Sequence, residues 1–262
     1  MALYLLIGIV GLACIRGLGR WREGLFFIVL LGAVQDPLRK FAPNEVPAYS
    51  LLASVLVLGV VVITLANGTR FWWGTFVRRF PTIGRTAMWF ALACVPAGII
   101  SASYGTGSWM LSLLGAISYA VLFAAVIVGF YFPRSVLELR RFLSFYCILT
   151  SIMLTGTIMQ YLGFWANSPL LGTEALDTQW LRYRSGYVVE MFAGFYRSPD
   201  VLGWHAAATV MFSSILALTS RGNARWMWSA LAAFAVAALL LCARRKMVYM
   251  PPVFGVSVIW MY

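Results

Sequence analysis

Apolar positions run through this chain in long unbroken stretches, interrupted by short polar and basic connections. About nine such stretches are legible, at 2–15, 24–35, 50–67, 87–102, 109–132, 143–164, 205–219, 226–242 and 247–262. A helix rises 1.5 Å per residue, so crossing the hydrocarbon core takes about 20 residues. The stretches 50–67, 109–132 and 143–164 meet that length comfortably. The first two are shorter and either borrow flanking residues or insert only partway. In lipid every backbone polar group must be satisfied internally, which leaves helices or a closed barrel. Runs of this length without period-two alternation predict helices. The predicted fold is therefore all-α: a polytopic transmembrane helical bundle, forming one integral membrane domain over residues 1–262. The last run stops directly at Trp260-Met261-Tyr262. That reads as a helix interrupted, in a chain that is incomplete at its C-terminus.

Composition agrees. The chain is 62% hydrophobic and 11% charged, against about 25% charged residues in an average soluble protein, and its mean hydropathy is +0.85. So little charge could not cover a water-facing surface, whereas lipid solvates apolar side chains directly. Aromatic residues make up 16%, a content that suits the headgroup level of a bilayer. The net charge of +12 would suit nucleic acid if the cations formed a face with interleaved aromatics. Instead they sit in short clusters between apolar runs, such as Arg78-Arg79 and Arg140-Arg141, so nucleic acid is excluded as a partner. Cys14, Cys94, Cys147 and Cys242 lie in or beside apolar runs with no C-x-x-C pair. Neither a metal site nor a disulfide framework is indicated. Met1–Ile15 lacks the basic start of a signal peptide, and the leucine of Gly11-Leu12-Ala13-Cys14 is one position out of place for a lipoprotein cleavage site.

The connections predict a topology. Loop 16–23 carries Arg16, Arg20, Arg22 and Glu23, whereas loop 36–49 balances Arg39 and Lys40 against Asp36 and Glu45. Loop 68–86 carries Arg70, Arg78, Arg79 and Arg85 without an acid, and loop 103–108 has no charge. Loop 133–142 carries Arg134, Arg140 and Arg141 against Glu138, segment 165–204 mixes both signs, and loop 220–225 carries Arg221 and Arg225. Placing the basic loops in the cytoplasm satisfies the positive-inside rule over seven consecutive connections. It puts the N-terminus and the long 165–204 connection outside. Arg244-Arg245-Lys246 then also falls outside, against the rule.

Candidate chemistry concentrates in that long connection. Trp180 to His205 mixes arginines with aromatic and apolar residues, as suits the membrane–water boundary. Arg182 and Arg184 could reach a lipid phosphate or diphosphate through their guanidinium forks; the plainer reading is an interfacial segment that meets bulk anionic lipid. Ser198-Pro199-Asp200 is a helix-start signal. It puts Arg197 beside a helix N-terminus, where backbone N–H groups and the guanidinium can face one anion. His205, the sole histidine, is a candidate general base two turns into that helix. The plainer reading is a structural histidine. Gln35-Asp36-Pro37-Leu38-Arg39-Lys40 closes the second apolar run, where Asp36 and Arg39 can pair as i, i+3. No Gly-rich phosphate loop, zinc-binding histidine pair or serine nucleophile elbow appears, so no cofactor or metal is expected.

Several of these residues resemble one family. Gly194-Phe195-Tyr196-Arg197-Ser198-Pro199-Asp200-Val201-Leu202-Gly203 is similar to the arginine-glycine-phenylalanine and asparagine/aspartate-proline region of the O-antigen ligase and polymerase superfamily. Cys242-Ala243-Arg244-Arg245-Lys246, after two apolar helices, resembles that family's serine-arginine-glycine step. Gln35–Lys40 resembles an early stretch of its exopolysaccharide-polymerase members. The resemblance implies a GT-C-like helical glycosyltransferase of the bacterial inner membrane. Such an enzyme moves a glycan from undecaprenyl diphosphate to a glycan or lipid A-core acceptor at the outer face. Carried over by position, Arg197 and one of Arg244 or Arg245 hold the diphosphate, with Lys246, Arg182 and Arg184 as further candidates. The step at 242–246 lacks the family's serine and glycine. The family continues into a loop bearing a histidine that lies beyond Tyr262, so this chain alone is expected to be inactive. Two other classes fit the hydropathy: a transporter or lipid flippase with a basic outer cavity, and a non-catalytic membrane subunit. The absence of an evident internal repeat weighs against the transporter. So does the lack of charged residues within 50–67, 109–132 and 205–219.

Overall fold

The computed structural model describes residues 2–41, 48–69, 73–105, 107–165, 167–176, 178–184 and 186–261. The chain is almost entirely helical: α1 (Ala2–Gly19), α2 (Trp21–Phe41), α3 (Ala48–Thr69), α4 (Trp73–Arg79), α5 (Pro81–Ala102), α6 (Ser108–Tyr131), α7 (Val136–Tyr161), α8 (Pro199–Thr219), α9 (Asn223–Leu241), α10 (Arg245–Val248) and α11 (Met250–Met261). Between α7 and α8 lie a short 3-10 turn (Glu174–Leu176) and a two-stranded antiparallel hairpin, β1 (Leu181–Arg184) and β2 (Tyr187–Glu190).

Among the described residues each of the nine apolar stretches lies mainly on helical backbone, the last divided between α10 and α11. Among the described residues, however, four helices rather than nine are long and apolar enough to cross a membrane: α5, α7, α8 and α9. Charged residues at both ends of α2 exclude it. Within α1, α3 and α6 the described residues cover shorter apolar windows, at Leu6–Gly19, Leu56–Ala66 and Ser108–Ile117. The four long helices make this an α-helical membrane protein.

α8 is the central helix. Half of its apolar window is buried within the protein, against 11% of that of α5. Gly203, Ala206 and Ala207 on α8, with Ala235 and Ala238 on α9, present small side chains to the shared core. Such residues let helix backbones approach closely where lipid supplies no hydrophobic drive. The hydroxyls of Thr150 on α7 and Thr209 on α8 share a hydrogen bond of 2.7 Å between them. In contrast, α5 exposes Met88, Trp89, Leu92, Val95 and Ile99, a surface that only lipid or another apolar partner satisfies.

Side-chain contacts divide the connections between two ends of the bundle. At one end Arg22 donates to the carbonyls of Tyr131 (3.0 Å) and Phe132 (2.9 Å). Arg140 bonds Ser220 there, and Phe76 and Phe80 pack on Phe130. Loops 16–23, 68–86, 133–142 and 220–225, the basic ones, thus share that end. The last turn of α2, the end of α7, the start of α8 and the end of α9 share the other. Tyr161, Phe164 and Trp165 are exposed at the close of α7, the position of an interfacial aromatic belt.

Candidate functional site

The site begins with buried charge at the end of α2. Asp36 and Lys40, one helical turn apart, are each 1% exposed. Lys40 Nζ donates to the carbonyls of Leu170 (3.0 Å) and Gly194 (2.7 Å). Asp36 accepts the backbone N–H of Arg197 at 3.3 Å and lies 3.9 Å from its guanidinium Nε. Burying such groups is tolerable only when they are paired and hydrogen-bonded. The expected Asp36–Arg39 pair within one helix is therefore replaced by a contact with Arg197, 161 residues away.

The segment Gly194-Phe195 seats Arg197. Gln160 Oε1 accepts the N–H groups of Ala193 (3.1 Å) and Gly194 (2.8 Å). Gly194 has φ of +56°, and a Cβ there would lie 2.5 Å from the backbone nitrogen of Thr157. Gly156 leaves room for the Phe195 ring, which a Cβ would meet at 2.6 Å. Glycine at both positions lets the loop lie directly on α7. Ser198 then caps α8, its hydroxyl accepting the N–H of Val201 at 3.3 Å, with Pro199 in the first turn.

Asp200, on that first turn, gathers the second cluster. Arg244 Nη2 lies 2.9 Å from Asp200 Oδ2 and Lys246 Nζ 3.5 Å from Oδ1. The Arg244 guanidinium sits 5.3 Å from the Trp180 ring centroid. Arg182 Nη1 donates to the Ala243 carbonyl at 3.1 Å, tying the hairpin to the turn after α9. Trp180, Arg182, Met191, Arg244, Arg245 and Lys246 line a groove of about 440 Å³. Arg245 is exposed and has no ion pair among the described residues. Arg244 Nε and Trp180 Nε1 are buried donors with no hydrogen-bond partner among the described residues.

Arg182, Arg244, Arg245 and Lys246 are thus brought together. Arg197 lies at the start of the same helix as Asp200 but is not among the groove's lining residues. Its carboxylate is Asp36, whereas Arg244 and Lys246 use Asp200. The single cluster expected from position is therefore two neighbouring ones, each with its own acid. Arg184 closes β1 opposite Tyr187; its side chain lies outside the described residues. The basic step that contradicts the positive-inside rule is partly neutralised by Asp200.

His205 has partners. Its Nδ1 lies 2.9 Å from the Tyr146 hydroxyl, and its ring stacks on Tyr196 at 5.0 Å and 14°. Tyr196 is fully buried, and burial, reinforced by Tyr146 and Asp36, holds its phenol well above the ordinary range. It therefore stays protonated. His205 belongs to this buried layer between α7 and α8, not to the lining of the groove.

No family model, curated protein or solved structure matches the chain. Among the described residues, no group of three or more His, Cys, Asp or Glu side chains could hold a metal ion. Sequence reasoning missed Lys40, Gln160 and Trp180, and the pairing role of Asp200. Lys40 and Asp36 carried a signal, being charges flanking a proline at the end of an apolar helix. Gln160 and Trp180 carried none, since their roles arise from tertiary contact.

Proposed function

We propose that this chain is a GT-C-like glycosyltransferase unit of the bacterial inner membrane, of the O-antigen ligase and polymerase type. It acts at its extracytoplasmic face on glycans carried by undecaprenyl diphosphate, with a glycan or lipid A-core as acceptor. The observation that carries the reading is the groove at the hairpin end, lined by Arg182, Arg244, Arg245 and Lys246, of which Arg244 and Lys246 share one carboxylate, Asp200. Cations exceed acids there, and Arg245 is exposed with no ion pair among the described residues. Guanidinium forks bind phosphate oxygens bidentately. A groove at the end of membrane-crossing helices is reachable by a headgroup whose lipid tail stays in the bilayer.

The test uses the chain in nanodiscs with undecaprenyl diphosphate. A charge-assisted hydrogen bond contributes about 1.5–3 kcal/mol, so Arg245→Ala and Arg244→Gln should each weaken binding about ten- to a hundredfold. Arg245→Lys should recover only part of the loss. Arg221→Ala and Arg225→Ala, at the opposite end, should leave it unchanged. Arg197→Ala is a poorer probe, because it also strips Asp36 of its partner. Equal affinity across all these variants would sink the reading. Orientation is tested by labelling Ala175→Cys with an impermeant thiol reagent in spheroplasts, on a background lacking Cys14, Cys94, Cys147 and Cys242. Labelling only after lysis would put the groove on the wrong side.

A further inference from the structure

A second cavity adjoins the cationic groove and has the opposite chemistry. It holds about 340 Å³, within the size range of small-molecule sites, and lies between the end of α7, the 3-10 turn and the hairpin. Its polar lining includes Gln160, Glu174, Thr178, Gln179 and Glu190. No cation is among its lining residues. Trp180, Leu181 and Met191 line both cavities, so these three side chains form the wall between them.

We infer that this second cavity is a saccharide subsite, receiving the sugar joined to the phosphate held next door. The inference rests on the diphosphate reading and names what the neighbouring cavity takes. Glu174 and Glu190 repel an anion, so phosphate belongs in the groove alone. Amides and hydroxyls are poor company for a purely apolar ligand, because filling the cavity with one would strip them of water. A ligand dense in hydroxyl donors satisfies the carboxylates, and each charge-assisted O–H···O⁻ bond is stronger than a neutral one. The Trp180 indole offers an apolar face to the C–H side of a sugar ring. Its neighbour Arg244 occupies the groove side, 5.3 Å from the ring centroid. A polyol covalently joined to a phosphate matches this division: acids and amides on one side of a tryptophan, cations on the other.

Binding is measured in nanodiscs for farnesyl diphosphate and for its glucosyl, galactosyl and N-acetylglucosaminyl derivatives, with the free sugars as separate probes. At least one sugar-bearing diphosphate should bind about tenfold more tightly than farnesyl diphosphate. In the Glu174→Gln/Glu190→Gln variant that ratio should fall to near one. Both residues are exposed and the changes are isosteric, so the fold should survive, as size-exclusion elution would show. If no sugar-bearing diphosphate binds better than the sugar-free one, or if its advantage persists in the double variant, the subsite is overturned and the diphosphate reading stands. If no diphosphate binds but a free sugar quenches tryptophan fluorescence in the native chain and not in the double variant, the subsite stands and the diphosphate reading falls. Failure of all probes overturns both.

Discussion

At the end of the bundle where α7 begins, acids and cations meet loosely. Arg16 and Arg20 reach Glu23 at 3.5 and 3.0 Å, and these side chains stay well exposed. At the hairpin end Asp36 is 1% exposed against Arg197, and Lys40 is equally buried against two carbonyls. The first kind of pair is screened and contributes about 0–1 kcal/mol. The second kind is costly to form and far costlier to leave half-made. At one end the charges stay in solvent. The other end uses charge to hold a loop in place, and the candidate site is built beside that loop.

The sharpest break of this contrast is removal of one acid at each end. Asp36→Ala strands a buried lysine and a half-buried arginine, and should cost about 3–5 kcal/mol. It should appear as loss of monodisperse protein in detergent or a steep fall in thermal midpoint. Glu23→Ala, which removes the exposed partner of Arg16 and Arg20, should cost at most about 1 kcal/mol. Equal losses would dissolve the distinction between the ends. Glycines sharpen it next. Gly194 and Gly222 share positive φ, +56° and +60°, but a Cβ at Gly222 meets nothing within 4 Å while one at Gly194 meets α7. Gly222→Ala should cost the conformational strain alone, about 1–3 kcal/mol. Gly194→Ala should add overpacking of about 1–3 kcal/mol. The smallest effect should not discriminate at all. Ser198 and Ser135 cap helices at opposite ends with side-chain bonds of 3.3 and 3.2 Å. Ser198→Ala and Ser135→Ala should each cost about 1 kcal/mol in the same unfolding assay. A much larger loss at Ser198 would mean that the cap also supports the loop before it.

The helices were legible because hydropathy acts locally and lipid enforces it. Even the side shared by Arg197 and Arg244 follows from counting crossings, since α8 and α9 carry the chain across and back. What escaped was partnership. Nothing near Asp36 distinguishes Arg39, three residues on, from Arg197, and burial chose the latter by bringing the loop before α8 onto the end of α2. Among the described residues four of the apolar stretches are shown to have spanning length, and apolar composition alone does not separate a 12-residue α11 from a spanning helix. The hairpin was missed for a different reason. Leu181-Arg182-Tyr183-Arg184 does alternate, but four residues are too few to outweigh the interfacial look of the whole stretch.

That hairpin divides the chain at a useful place. Among the described residues its strands pair only with each other, all four residues of β2 are exposed, and isolated two-stranded hairpins are marginally stable in water. A protease should therefore cut first at its tip, between β1 and β2. The two pieces would still be held by Asp36 with Arg197, Lys40 with Gly194, and α7 packed on α8 and α9. The protein should accordingly be expressible as two separate genes, one ending and one beginning at the tip, whose products find each other in the membrane and purify as a pair.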